Sequence, residues 1–198
     1  MAIQKTKREI KAEQNFKNIT ATAKSLFFSY GFDRVTVDDI CAQANVSKST
    51  FYTHFSSKQD LLIFFVAEDR NEFLKQHYIY DENKSLRELM RSFFFANFAY
   101  NRKDSHEWSR MAYISYIKTH RQERRENHYY QDELRRLVKQ GMEEGAFRHE
   151  LTFDEHYRMI HDWIIGFFIG WSVYPDNVPD VDSMYDNIMD AMVDSLLK

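Results

Sequence analysis

The chain has 198 residues, 43% hydrophobic and 16% aromatic, which is ample for a packed core and excludes an intrinsically disordered chain. Five glycines and two prolines are too few turn formers for a sheet-rich fold, so an all-α protein is expected. The formal charge of −3 hides an asymmetry: residues 1–58 carry nine Lys/Arg against five Asp/Glu, and the remainder carries 18 against 25. A small basic N-terminal part on a larger acidic one suggests a nucleic-acid-binding head on a body of another kind.

Residues 1–14 are polar and are expected to fray. Phe16, Ile19, Ala23, Leu26, Phe27 and Tyr30 then trace one helical face, which Gly31 ends. Thr36 begins a second helix, with Asp39 completing a capping pair; its inner face is Val37, Ile40, Cys41 and Ala44. Cys41, at a core spacing, reads as a small buried hydrophobe. Ala44-Asn45-Val46 makes a tight turn, because asparagine tolerates a positive φ, and Ser47 caps a short third helix. On that helix Phe51 and Phe55 point inward, while Lys48, Ser49, Tyr52 and Thr53 have no apolar role. Two short helices across so brief a turn, braced by a longer one, form a helix-turn-helix over about residues 35–54. The next helix starts at Ser57 with Lys58 in its first turn, where a cation opposes the helix dipole unless an anion such as a phosphate arrives there.

These residues carry a specific resemblance. Leu26-Phe27, Gly31-Phe32, Thr36, Asp39-Ile40-Cys41, Val46 to Phe55, and Ser57-Lys58 with Leu61-Leu62 together resemble the N-terminal domain of the TetR family of transcriptional regulators. Asn45 stands where that family usually has glycine, Ser49 replaces a frequent glycine and Thr53 a frequent second tyrosine. The last two lie on the exposed face and bear on which operator is read. The resemblance implies a DNA-binding domain over residues 12–72 and a helical effector-binding and dimerisation domain over 73–198. It also implies about nine helices, the last two forming a four-helix bundle in a homodimer. Lys48, Ser49 and Thr53 are candidates for base-edge contact in the major groove. By resemblance, Thr36, Thr50, Tyr52, His54 and Lys58 hold phosphates and set register. Lys5, Lys7, Arg8 and Lys11 add sequence-independent attraction.

The rest of the chain also reads as helical. One helix runs from Ser57 to about His77, a fifth starts near Ser85, and a sixth covers Ser105 to about His120. A seventh covers Glu123–Glu144 and ends at Gly145. Thr152 with Glu155 caps an eighth, and after Pro175 and Pro179 a ninth places Val181, Met184, Ile188, Met192 and Leu196 at helical spacing. Trp163–Trp171 is apolar nearly all round, with Gly166 and Gly170 four residues apart, which points to a partner helix. The expected dimer contacts are Ile164, Phe167, Phe168, Trp171, Met184, Ile188 and Met192. Aromatic residues exceed what a helical body of this size needs, so Phe94, Phe98, Trp108, Met111, Tyr113 and Tyr116 are candidates to line a pocket for a flat or greasy small molecule.

Other classes are excluded or left without support. One cysteine allows neither a disulfide framework nor a multi-cysteine zinc site, and no two of His106, His120, His128, His156 and His161 have the i,i+4 spacing of a helical metal site. No cofactor or metal is expected. No phosphate loop or nucleophile motif supports an enzyme. The longest apolar run, Trp163 to Tyr174, is shorter than the ~18 residues of a membrane span. No apolar stretch follows the N-terminal lysines, so a cytoplasmic protein without a signal peptide is expected. The expected function is a dimeric repressor that leaves a palindromic operator on double-stranded DNA when a small hydrophobic or aromatic effector binds. The alternative keeps the DNA head and gives the body a protein partner in place of the small molecule.

Overall fold

The computed structural model describes residues 6–103, 111, 113–115, 117, 128–173 and 181–198. Among them lie eight helices and no named strand: α1 Lys7–Tyr30, α2 Val37–Ala44, α3 Lys48–His54, α4 Lys58–His77, α5 Leu86–Lys103, α6 Tyr129–Glu143, α7 Phe153–Val173 and α8 Val181–Leu196. The all-α class is as expected. Met111, residues 113–115 and Ile117 are also helical; the rest of the expected sixth helix lies outside the described residues. The described residues fall into two units. One holds those up to Phe65, with Ser115 and Ile117; the other holds those of Val66–Ile114 and Glu123–Lys198.

The same device starts four helices. Thr6 with Glu9, Thr36 with Asp39, Ser85 with Glu88 and Thr152 with Glu155 each form a reciprocal cap. In each, the hydroxyl accepts from the backbone N–H three residues on, and the carboxylate accepts from the cap residue's N–H. Two backbone donors that the helix leaves unpaired are thereby satisfied. The Thr6 pair corrects the expected fray: α1 begins at Lys7, because Thr6-x-x-Glu9 caps it although no apolar stripe marks its first two turns. α6 begins at Tyr129, with His128 at φ −113° before it and no side-chain cap; residues 123–127 of the expected helix lie outside the described residues.

In the first unit Ile19, Ala23, Leu26 and Phe27 of α1 are buried with Phe32, Val35, Ile40, Cys41, Ala44, Phe51, Phe55, Leu61 and Leu62. Tyr30 departs from its expected place on the inner face and is 62% exposed. It is the last residue before Gly31, whose φ of +82° turns the chain away. In the second unit α5 packs against α6, α7 and α8. The core joins Leu89, Met90 and Phe93 of α5 to Leu134, Leu137 and Val138 of α6, Ile160 and Ile164 of α7, and Val193 and Leu196 of α8. Arg91 Nε lies 2.5 Å from Asp190, and Arg87 pairs with Asp194; both pairs are exposed and add little to stability. Among the described residues no helix is long and apolar enough to cross a membrane.

The end of the chain closes on α6. Phe147 and Leu197 form an isolated antiparallel bridge, with Arg148 N–H donating to Leu196 O at 2.8 Å and Lys198 N–H to Ala146 O at 2.8 Å. The Phe147 ring stacks 4.1 Å from the buried His156 imidazole. It lies so close to α6 that a Cβ on Gly141 would sit 2.6 Å from two ring carbons.

Two predictions follow from this packing. Gly141→Val forces that contact and adds a β-branched side chain to a helix, so it is expected to lower unfolding free energy by about 1–3 kcal/mol in thermal or denaturant unfolding. An unchanged midpoint contradicts the close approach. The capping bonds of Thr36, Ser85 and Thr152 hold Asp39, Glu88 and Glu155 below the usual carboxylate range. Groups depressed in the folded state contribute stability that is present above their ordinary pKa and lost as pH falls through the folded one. The thermal midpoint is therefore expected to fall with pH below about 4.5, and a Glu88→Gln, Glu155→Gln variant is expected to fall less.

Candidate nucleic-acid interface

α2 and α3 are joined by a turn that one residue makes possible. Asn45 sits at φ 53°, ψ 49°, the left-handed conformation, with its N–H turned back on α2. Val46 N–H donates to Cys41 O at 3.0 Å. The asparagine thus supplies what glycine would at the helix end. Ser47 then caps α3: its Oγ accepts from Thr50 N–H at 3.1 Å and lies 2.8 Å from the hydroxyls of both Ser49 and Thr50.

α3 is anchored from below by rings. Phe51 and Phe55 are fully buried. Phe16 of α1 stacks on Phe55 at 5.4 Å and meets Phe64 of α4 edge-on at 5.2 Å, while Phe55 and Phe64 are 5.7 Å apart. Cys41 is buried as expected, and burial pushes its thiol pKa up. With Phe51 and Phe55 held, positions 49, 52 and 53 turn away from the core, and Lys48, three residues before Phe51, is left in solvent because it is the first residue of the helix. Lys48, Ser49, Tyr52 and Thr53 are all exposed.

The hydroxyls and cations nominated from sequence have defined local partners. The Thr36 hydroxyl donates to Asp39 at 2.6 Å as part of the cap. The Thr53 hydroxyl donates to Ser49 O at 2.9 Å along its own helix. The Tyr52 ring meets Phe51 edge-on at 5.4 Å and is 54% exposed. His54 is half-buried, edge-on to Phe16 at 5.7 Å. Lys48 Nζ lies 2.6 Å from Asp38 Oδ1 on α2. That partner was missed in the sequence reading, although two adjacent aspartates at the start of a helix-turn-helix otherwise rich in hydroxyls are a visible signal.

Lys58 is placed in a way the sequence did not disclose. Its ammonium donates to Phe32 O at 2.6 Å and Val35 O at 2.8 Å and stands 4.3 Å over the Phe32 ring. Partial burial lowers its pKa. The lysine ties the loop between α1 and α2 to the first turn of α4, and at most one of its three protons is left for a phosphate. Asp60, also buried, accepts from Ser56 N–H at 2.8 Å and Ser56 Oγ at 3.1 Å, so that turn has its own carboxylate.

Of the expected pocket residues, Phe94 and Phe98 are buried and line a gap of about 20 Å³ with Ile164, Phe167, Met189 and Met192. Tyr113 packs against the core and Met111 is half-buried; Trp108 and Tyr116 lie outside the described residues. Of the expected dimer contacts, Phe167, Ile188 and Met192 line an open groove of about 520 Å³ with Trp163, Gly166 and Ala191. Ile164 is buried within the unit. The side chains of Phe168, Trp171 and Met184 lie outside the described residues.

Residues 19–63 match the family model described as bacterial regulatory proteins, tetR family. The HTH-type transcriptional regulator YwcC of Bacillus subtilis is 35% identical over 66 residues, 33% of this chain and 30% of that protein. The chain therefore spans under a third of that relative's length, and the likeness speaks for the head. Among solved structures, a TetR-family transcriptional regulator of Haemophilus influenzae matches with TM-score 0.56 at 15% identity, over 96% of this chain and all of that one. The fatty acid degradation regulator FadR of Bacillus halodurans matches with TM-score 0.55 at 20% identity, over 90% and 97%. At such identities these matches show the fold alone.

The Lys58 tie is open to test by substitution. Lys58→Met removes two charge-assisted bonds from the loop carbonyls and is expected to lower unfolding free energy by about 1–3 kcal/mol, read by thermal denaturation. A variant that melts with the parent contradicts the structural role.

Proposed function

The chain belongs to the TetR family of bacterial transcription regulators, which bind DNA, and on that premise we propose that it is a dimeric repressor released from a palindromic operator by a small hydrophobic or aromatic effector. One observation carries the reading: a short helix held on buried phenylalanines leaves Lys48 at its start and Ser49, Tyr52 and Thr53 along it exposed. Such a helix suits the major groove, where lysine donates to guanine O6/N7 and hydroxyls to several edges. Thr36, Thr50, Tyr52, His54 and Lys58 are assigned to the phosphates, which fix register rather than sequence. One helix of seven residues covers few base pairs, so two heads related by a two-fold axis read two half-sites.

The dimer is supported by the outer side of α7 and α8. Trp163 is 38% exposed, and Gly166 and Gly170 have open space where a side chain would point. Apolar surface beside missing side chains admits the backbone of a second helix closely. The effector is supported by the resemblance to the family and by the aromatic interior of the second unit, which also encloses Arg70, Asn71, Asn97 and His156. Release requires that the effector prefer the conformation that does not bind DNA, since equal affinity for both shifts nothing.

Fluorescence anisotropy on DNA selected from a random pool tests the head. Specific binding is expected to weaken steeply with salt and to be lost in a Lys48→Ala, Tyr52→Ala variant. A folded protein that selects no sequence overturns the reading. Ile188→Arg with Met192→Arg is expected to give a monomer in sedimentation and to weaken operator binding by about tenfold or more. A variant that stays dimeric contradicts the assigned interface.

A further inference from the structure

We propose that Asp38 is a positioning residue for operator reading: it holds the ammonium of Lys48, sharpening the base preference where Lys48 meets the groove and cancelling that lysine's pull on the phosphates. The proposal rests on α3 being the helix that contacts DNA.

The pair joins the two helices of the motif on their solvent side. Asp38 is the second residue of α2, Lys48 the first of α3, and the two charged atoms are 2.6 Å apart with side chains 64% and 62% exposed. The contact raises the Lys48 pKa, chiefly through the hydrogen bond to Asp38. Stability does not account for it, because an ion pair this exposed contributes little. The need for an acid at the start of α2 does not account for it either, since Asp39 already completes that cap.

The charge on the motif sharpens the point. Within α2 and α3 the formal charges are Asp38, Asp39 and Lys48, so the segment that meets the groove is net negative with His54 neutral. An unpaired carboxylate there would repel phosphates. Paired, it changes what the lysine does. A free lysine is a point charge on a four-carbon stem that settles on any phosphate in reach. Bound to Asp38 its head is biased toward one place beside α2, with two protons left for the adjacent O6 and N7 of a guanine. Attraction at long range then falls to cations elsewhere in the head, among them Lys7, Arg8 and Lys11 at the start of α1, all exposed.

The test uses the full chain and an operator selected by the parent protein, comparing Asp38→Asn, Asp38→Glu, Lys48→Ala and the Asp38→Asn, Lys48→Ala double variant. Asp38→Asn is expected to bind unrelated duplex more tightly, with a salt slope steeper by about 0.9 per head as Lys48 takes a phosphate. At the base pair assigned to Lys48 its preference is expected to drop about fivefold or more. Asp38→Glu is expected to restore both, and thermal midpoints to stay with the parent. Adding Asp38→Asn to Lys48→Ala is expected to change preference no further, the signature of a residue acting through its partner. A parental slope and preference in Asp38→Asn overturns the proposal, as does an effect that persists without Lys48. If the parent selects no operator, the DNA reading itself fails and takes the proposal with it; selection by the parent with no effect at Asp38 sinks the proposal alone.

Discussion

A seven-residue helix does not hold together in water, because nucleation is unfavourable and there are too few turns to offset it. α3 exists because Phe51 and Phe55 are buried, with Phe51 against Phe55 and Phe55 against Phe16 and Phe64. That one contact decides several things at once. It gives a short polar sequence a fixed helical form, and it sets the rotation of the helix, hence which residues face outward. It also draws on α1, which supplies Phe16. The hydroxyl-rich outer surface of α3 needs no apolar content of its own, since the stabilising residues all lie underneath.

Much of the head was legible in the sequence because its structure is made by local rules. Caps, the Asn45 turn and the spacing of Phe51 and Phe55 act over three or four residues, and a linear reading finds them. Where local signals were weak or overlooked, the reading slipped. The Thr6-x-x-Glu9 cap starts α1 among residues with no apolar stripe, and Tyr30 continues a helical face that the core no longer meets. What lay beyond reach was long-range: the carbonyls held by Lys58 are 23 and 26 residues away, and no spacing announces them. The polar residues inside the second unit were equally hidden. Arg70 and Asn71 sit in an ordinary helical sequence, and only packing shows that they are enclosed.

The distribution of charge separates two tasks that a basic motif would merge. The excess of cations in the first 58 residues lies mainly outside α2 and α3, on α1 and around it. Coulomb attraction reaches about 8 Å in physiological salt and does not depend on sequence. Hydrogen bonds to base edges act only in contact and do. On the proposed reading of α3 as the helix in the groove, cations beside it rather than on it let encounter and discrimination vary separately.

The Lys58 tie reaches beyond its own turn. Its ammonium grips two carbonyls of the loop that leads into α2, and the lysine is itself the first residue of α4, a helix of 20 residues. The backbone held at Val35 directly precedes the Thr36 cap, so the same side chain that opens α4 also fixes where α2 starts, in addition to the apolar packing of the unit.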